Sequence, residues 1–122
     1  MDGFARPLLQ SKNIRFVFDH GVFTDGISIS ENTRQSLFLI FKEAINNICK
    51  YAQCNTCTVT LALENRQLMC SIFDDGIGFD STLPTDRNGL LNMRERVKAL
   101  KGKINIQSAL HSGTTIALEL PA

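Results

Sequence analysis

Apolar residues recur along this chain with two different periods, and the change of period divides it into elements. From Glu31 to Ala52 there is neither glycine nor proline, and Leu37, Phe38, Phe41, Ala44, Ile45, Ile48 and Ala52 share one broad face when projected at about 100° per residue. The spacing predicts one long helix over 31–52, with Ser30 or Asn32 as its cap. From Cys57 the period drops to two. Val59, Leu61 and Leu63 alternate with Thr58, Thr60 and Ala62, and a second run, Leu68 to Phe73, follows Glu64-Asn65-Arg66-Gln67. Alternation predicts a hairpin with one buried side. Asp80 to Asn88, with Pro84, has no period and reads as a loop. Helical spacing returns after Gly89, where Leu90, Met93, Val97 and Leu100 share a face and Gly102 is a natural stop. A second hairpin, Lys103 to Ala109 and Thr114 to Leu120, turns through Leu110-His111-Ser112-Gly113. Ile14 to Phe18 is a candidate strand near the start.

These elements predict an α+β domain with helices layered on one face of a mixed, largely antiparallel sheet. With 122 residues, 43% of them hydrophobic, the chain has enough apolar material for one core and too little length for two. A single domain over 1–122 is expected: an N-terminal segment, 1–30, with an edge strand, and a core over 31–122.

Charge narrows the partners. Thirteen basic and twelve acidic side chains leave a formal charge of +1, so no broad field points to DNA, RNA or an anionic membrane. Any bound anion must be held by local geometry. No apolar run approaches the roughly 20 residues of a membrane span, and the first twenty residues lack a basic-then-apolar signal pattern, so a cytoplasmic domain is expected. Cys49, Cys54 and Cys57 fall at a C-x4-C-x2-C spacing used by some iron-sulfur proteins. Cys49 lies inside a helical pattern, however, and Cys70 sits mid-strand as a small hydrophobe, so neither a cluster nor a disulfide framework is expected.

Four short constellations carry candidate chemistry. Glu43, Asn47 and Lys50 lie within about 60° of one another on a helical stripe beside the apolar face, with Tyr51 at its border. Two oxygen-bearing side chains one turn apart suit a hard cation such as Mg2+, and Lys50 would sit where phosphate oxygens gather. The same stripe is also what the polar boundary of any amphipathic helix looks like. Asp74-Asp75-Gly76-Ile77-Gly78-Phe79-Asp80 ends a strand in a carboxylate beside backbone that a ligand can approach closely. An aspartate there can accept a hydrogen bond from the exocyclic amine of a purine, although Asp-Gly is also ordinary turn chemistry. Arg87-Asn88-Gly89 opens a helix, where exposed amides attract anions and Asn88 serves equally as a cap. Gly113-Thr114 leads into the last strand.

In order, Glu43-x-x-x-Asn47-x-x-Lys50-Tyr51, Asp74-x-Gly76-x-Gly78-Phe79, Asn88-Gly89-Leu90 ahead of Met93-Arg94-Glu95-Arg96, and Gly113-Thr114 resemble the ATP-binding domain of sensor histidine kinases. That domain shares its superfamily with gyrase, heat-shock chaperones of the ninety-kilodalton class and mismatch-repair ATPases. The resemblance runs from about residue 31 to residue 120. Gly89-Leu90-Leu91-Asn92-Met93-Arg94-Glu95-Arg96-Val97 looks most like the nitrate-sensor subgroup, which signals to helix-turn-helix response regulators.

The resemblance implies a two-layer α/β sandwich with ATP between the helical layer and a lid, about residues 80–88. It implies that Asp74 takes the adenine amine, Gly76 and Gly78 form the turn beneath it, and Phe79 leads into the lid. Asn47 would hold Mg2+ with Glu43 assisting the metal or its water, Lys50 would reach phosphate and Tyr51 would flank the base. Arg87, Asn88, Gly89 and Leu90 would lie by the phosphates, and Thr114 would complete the adenine pocket. Arg87 stands where the family often has glycine, and Tyr51 where the subgroup often has histidine. Asp75 receives no ligand contact. His20 and His111 read as surface residues, so the phosphoacceptor would lie on a separate dimerisation hairpin of a longer, dimeric parent, whether or not that parent is anchored in the inner membrane. The isolated domain is expected to be monomeric and to make no direct nucleic-acid contact. The competing expectation is a regulatory module of the same fold, or an anti-sigma-like serine kinase, that binds a protein partner under nucleotide control.

Overall fold

A computed structural model describes residues 2–23, 29–78 and 88–122. In chain order the elements are α1 (Asp2–Gln10), β1 (Arg15–Phe23), α2 (Glu31–Asn47), a π-helical turn (Ile48–Ala52), β2 (Thr56–Glu64), β3 (Gln67–Asp74), α3 (Asn88–Ala99), β4 (Lys103–Ser108) and β5 (Thr114–Pro121). The strands form one five-stranded sheet in the order β1-β2-β3-β5-β4. β1 runs parallel to β2, and the other pairs are antiparallel. A parallel pair needs a long crossover, and α2 lies within that connection.

Alternation decides which side of the sheet is buried. On β2 it is Cys57, Val59, Leu61 and Leu63; on β3, Leu68, Cys70, Ile72 and Asp74; on β5, Thr114, Ile116, Leu118 and Leu120. Ala5 and Leu9 of α1, Leu37, Ile40, Phe41, Ala44 and Ile45 of α2, and Leu90, Met93 and Val97 of α3 close the same core. Two layers result, as expected. Thr60, Ala62, Met69, Ser71 and Ala117 are in the opposite phase and line a depression of about 400 Å3 on the other face, across the sheet from Asp74.

Four local expectations need correction. α1 was not foreseen because Gly3 and Pro7 argue against a helix; burial of Ala5 and Leu9, both 0% exposed, supplies the compensating energy. The long helix is α-helical only to Asn47, then widens into the π turn, where Gln53 leaves it in the left-handed region at φ 49°. Its buried stripe includes Ile40 instead of Phe38, which is 39% exposed and meets Phe4 of α1 edge-to-face at 6.2 Å. Finally, Lys101 (φ 59°), not Gly102, takes the left-handed position after α3. Gly102 is required for another reason: a Cβ there would meet Glu119 O at 2.5 Å and Leu120 Cδ2 at 2.8 Å. Ser30 caps α2, its Oγ accepting from Thr33 N at 3.1 Å.

Candidate functional site

Strand register brings the first part of the site together. Cys57 stands opposite Asp74, Asp74 opposite Thr114, and Thr114 opposite Ser108, so one row crosses four strands at the end of the sheet where the Asp-Gly turn begins. Asp74 is 4% exposed and Thr114 9%. The Gly76 N–H donates to Asp74 Oδ1 at 3.0 Å, which fixes one carboxylate oxygen inside the turn. The Ser108 and Thr114 hydroxyls are 2.9 Å apart, and Ser108 Oγ donates to Gly113 O at 3.1 Å. A buried carboxylate beside two hydroxyls is a polar patch cut into an otherwise apolar face.

Two glycines lock this turn to its neighbour. Gly78 (φ 62°) and Gly113 (φ 76°) both occupy the left-handed region, where a side chain is strained. A Cβ on Gly78 would collide with Ala109 O and lie 2.9 Å from Gly113 O; one on Gly113 would collide with Asp74 O. The His111 N–H donates to Ile77 O at 2.6 Å. The Asp74–Gly78 turn and the 109–113 turn are therefore packed backbone against backbone. At Gly78 and Gly113 the space a side chain would take is filled by neighbouring protein backbone, a structural reason for both glycines that is separate from the expected approach of a ligand.

The second part of the site is the end of α2. Glu43 and Asn47 are half-buried, and Lys50 is exposed on the π turn. Among the described residues, Asn47 Nδ2 is a buried side-chain atom without a hydrogen-bond partner. An unsatisfied buried amide costs about 1–3 kcal/mol in the protein alone, and such a group calls for a reason. Glu43 and Asn47 both offer oxygen, the donor a hard divalent cation prefers, whereas the Asn47 NH2, without a partner among the described residues, suits a hydrogen-bond acceptor such as a phosphate oxygen. π-helical turns frequently occur at functional sites.

Asp75, given no role in the sequence, joins the two parts. Its Oδ1 accepts from Asn55 N and Thr56 N, each at 2.9 Å, and its own N–H donates to Thr56 O at 3.3 Å. Asp75 alternates with Asp74 and so faces away from the core, toward the segment leaving the π turn. Ser108 was also missed. Counting back across the second hairpin from Thr114 would have found it; nothing in composition marks Asp75.

The thiols beside this region are inert. Burial, with the Cys54 thiol and the Asp74 carboxylate adding to it, pushes Cys57 up to about 12. Burial and Asp74 push Cys54 up to about 11. A thiol that stays protonated is a poor nucleophile and a poor metal ligand. His111 is exposed at φ 65° in the hairpin turn.

Phe79, Arg87 and most of the expected lid, 80–88, lie outside the described residues, as do the side chains of His20, Tyr51, Asn88 and Gly89. Asn88 begins α3, and Leu90, expected near the phosphates, is 8% exposed and belongs to the core.

The profile of the histidine kinase-, DNA gyrase B- and HSP90-like ATPase family matches residues 32–122. A signal transduction histidine-protein kinase/phosphatase, UhpB of Salmonella typhimurium, is 38% identical over 97 residues, covering 80% of this chain and 19% of that protein. The corresponding kinase/phosphatase DegS of Brevibacillus brevis is 32% identical, covering 94% of this chain and 32% of its own length. The chain thus spans between a fifth and a third of these relatives. Among solved structures, the histidine kinase domain of a blue-light activated kinase from Erythrobacter litoralis superimposes with a TM-score of 0.78 at 17% identity, covering 98% of this chain and 58% of that one. The Acinetobacter baumannii histidine kinase AdeS gives 0.76 at 16% identity, covering 98% and 60%. These structural likenesses establish the fold.

Proposed function

Because the chain belongs to the family of histidine kinase-, DNA gyrase B- and HSP90-like ATPases, we propose that it is the ATP-binding catalytic domain of a sensor histidine kinase. In this reading it donates the γ-phosphoryl group to a histidine on a dimerisation hairpin of the same protein. From there the group passes to a response regulator, in this subgroup one with helix-turn-helix output.

The observation that carries the nucleotide reading is Asp74. Its carboxylate is buried, one oxygen is held by the Gly76 N–H, and Thr114 stands beside it in register. A fixed acceptor in a low-dielectric recess favours a ligand that brings its own N–H donors, as the adenine amine does. Gly78 and Gly113 let the turn that holds Asp74 pack against the 109–113 turn, which supports the carboxylate from behind.

Asn47 and Glu43 would hold Mg2+, whose charge offsets that of the phosphate oxygens. Lys50, exposed on the π turn, adds a cation that can follow the phosphates. The protein's own contribution to phosphoryl transfer is position and charge. The P–O bond to the leaving ADP oxygen breaks as the bond to an imidazole nitrogen forms, and the imidazole N–H proton leaves to solvent. Arg87, Asn88 and Gly89 would complete the phosphate side of this reading, Phe79 would lead into the lid, and Tyr51 would flank the base.

Asp74→Asn tests the base assignment. An amide at this position keeps its oxygen on the Gly76 N–H and turns its NH2 toward the adenine amine, donor against donor. Calorimetry is expected to show ATP·Mg2+ binding lost in a variant whose thermal unfolding is near that of the parent; unchanged binding refutes the assignment. Supplying a phosphoacceptor hairpin with radiolabelled ATP tests the activity. Label on histidine supports the kinase, whereas label on a partner's serine, or tight partner binding without transfer, supports the regulatory module.

A further inference from the structure

We propose that Asp75 is a positioning residue that couples the two ends of the nucleotide site. The inference rests on the ATP-site reading above and adds a residue that makes no contact with the ligand. Asp74 and Asp75 are consecutive, so strand alternation sends their carboxylates to opposite sides of the sheet end. Asp74 is buried on the helix side, and Asp75 is exposed. A single oxygen of Asp75 accepts two backbone donors, Asn55 N and Thr56 N, both at 2.9 Å, and the return bond from Asp75 N to Thr56 O is 3.3 Å.

Those donors occupy the segment that leaves the π turn. Lys50 and Tyr51 lie in that turn, Gln53 leaves it at φ 49°, and Cys54 is buried immediately after. Asn55 O accepts from Arg15 N at 2.8 Å, which anchors the same segment to the start of β1. Any shift of the Asp74–Gly76 turn when a base enters is carried through one peptide unit to Asp75. From Asp75 it passes to Asn55 and Thr56, and so to the turn that carries Lys50. Base binding would in this way set the position of the phosphate-binding cation.

The alternative is a purely local cap, and exposure separates the two. Solvent-exposed hydrogen bonds contribute little to global stability because water replaces them readily, so a cap alone leaves binding selectivity untouched when removed. A coupling residue behaves differently. Removing it weakens a ligand that spans both ends more than one that fills the base end only.

The experiment compares adenosine with ATP·Mg2+ by calorimetry in the parent, Asp75→Ala and Asp75→Asn. In Asp75→Ala the affinity for ATP·Mg2+ is expected to fall about tenfold more than that for adenosine, a difference of roughly 1.4 kcal/mol. Asp75→Asn keeps the accepting oxygen and should restore the parental ratio. In the parent alone, adenosine should slow hydrogen exchange at the Asn55 and Thr56 amides, which keeps the test available if Asp75→Ala fails to fold. Equal losses for both ligands in Asp75→Ala, an Asp75→Asn variant that behaves like Asp75→Ala, or exchange at Asn55 and Thr56 unmoved by adenosine each overturn the proposal. A parent that binds neither ligand overturns the ATP-site reading itself and this inference with it.

Discussion

At the base end of the site, Gly78 and Gly113 meet backbone against backbone, Asp74 is held by the Gly76 amide, and the Thr114 hydroxyl is paired with Ser108. At the other end the α-helix gives way to a π turn, Lys50 is exposed, and the buried Asn47 amide nitrogen has no partner among the described residues. The contrast matches what each end has to recognise. A purine has one outline, which a closely packed frame would fit with only a small adjustment of the Asp74–Gly76 turn and little ordering cost at binding. A phosphate chain changes in length and charge during transfer, and groups with unspent hydrogen bonds or conformational slack can follow it.

The most forceful way to break this comparison is to put a side chain where the frame has none. Gly113→Ala places a Cβ against Asp74 O at φ 76°. It is expected to cost at least about 2 kcal/mol of stability and to abolish ATP binding, as read by urea unfolding and calorimetry. An unchanged unfolding midpoint would show that the frame is as yielding as the helix end. Asn47→Leu should act in opposite directions on the two properties. Taking away a buried amide without a partner should leave the protein alone unchanged or more stable by up to about 1 kcal/mol. Mg2+-dependent ATP affinity should fall about tenfold or more, with adenosine affinity unaltered.

Lys50→Ala comes next. Because the side chain is exposed, ATP affinity should drop about fivefold at low salt and less at high salt, again without a change for adenosine. A parallel loss for adenosine would move Lys50 to the base end. The smallest effect concerns pH. Burial raises the folded-state pKa of Cys57 and of Cys70 from 9.0 to about 12. An unfolded thiol gives up its proton near pH 9 while the folded one keeps it, so their contribution to stability is intact below pH 9 and is lost as the pH rises toward 12. Urea midpoints at pH 8 and pH 10 should differ in that direction, and Cys57→Ala should shrink the difference.

How far the sequence predicted these regions follows the same division. The two hairpins and the buried phase of β2 were legible, because alternation at period two and hairpin turns are local signals. The row joining Asp74 to Thr114 was not: β3 and β5 are separated in sequence by α3 and β4, and only the resemblance brought the two residues together. The helix end was legible as a stripe of residue types but not as a shape. A 100° projection assumes an α-helix throughout, and it does not report the widening at Ile48. Asp75 stayed hidden because its partners are main-chain amides at Asn55 and Thr56, and backbone donors look alike at every position in a sequence. Gly3 and Pro7 concealed α1 for the opposite reason: their local preference is clear, and the core contacts of Ala5 and Leu9 override it.

β5 is the last strand in chain order, yet it lies inside the sheet, between β3 and β4. It brings Thr114 to Asp74, and Gly113, packed against Asp74 O, stands immediately before it. As the ribosome releases this chain from its N-terminus, Asp74 emerges well before the residues that make it a receptor. Nucleotide held between Asp74 and Thr114 therefore cannot act on folding before β5 has been made, because β5 is also the strand that ties β4 to the sheet. A ribosome stalled before residue 114 would present Asp74 without the strand that stands beside it.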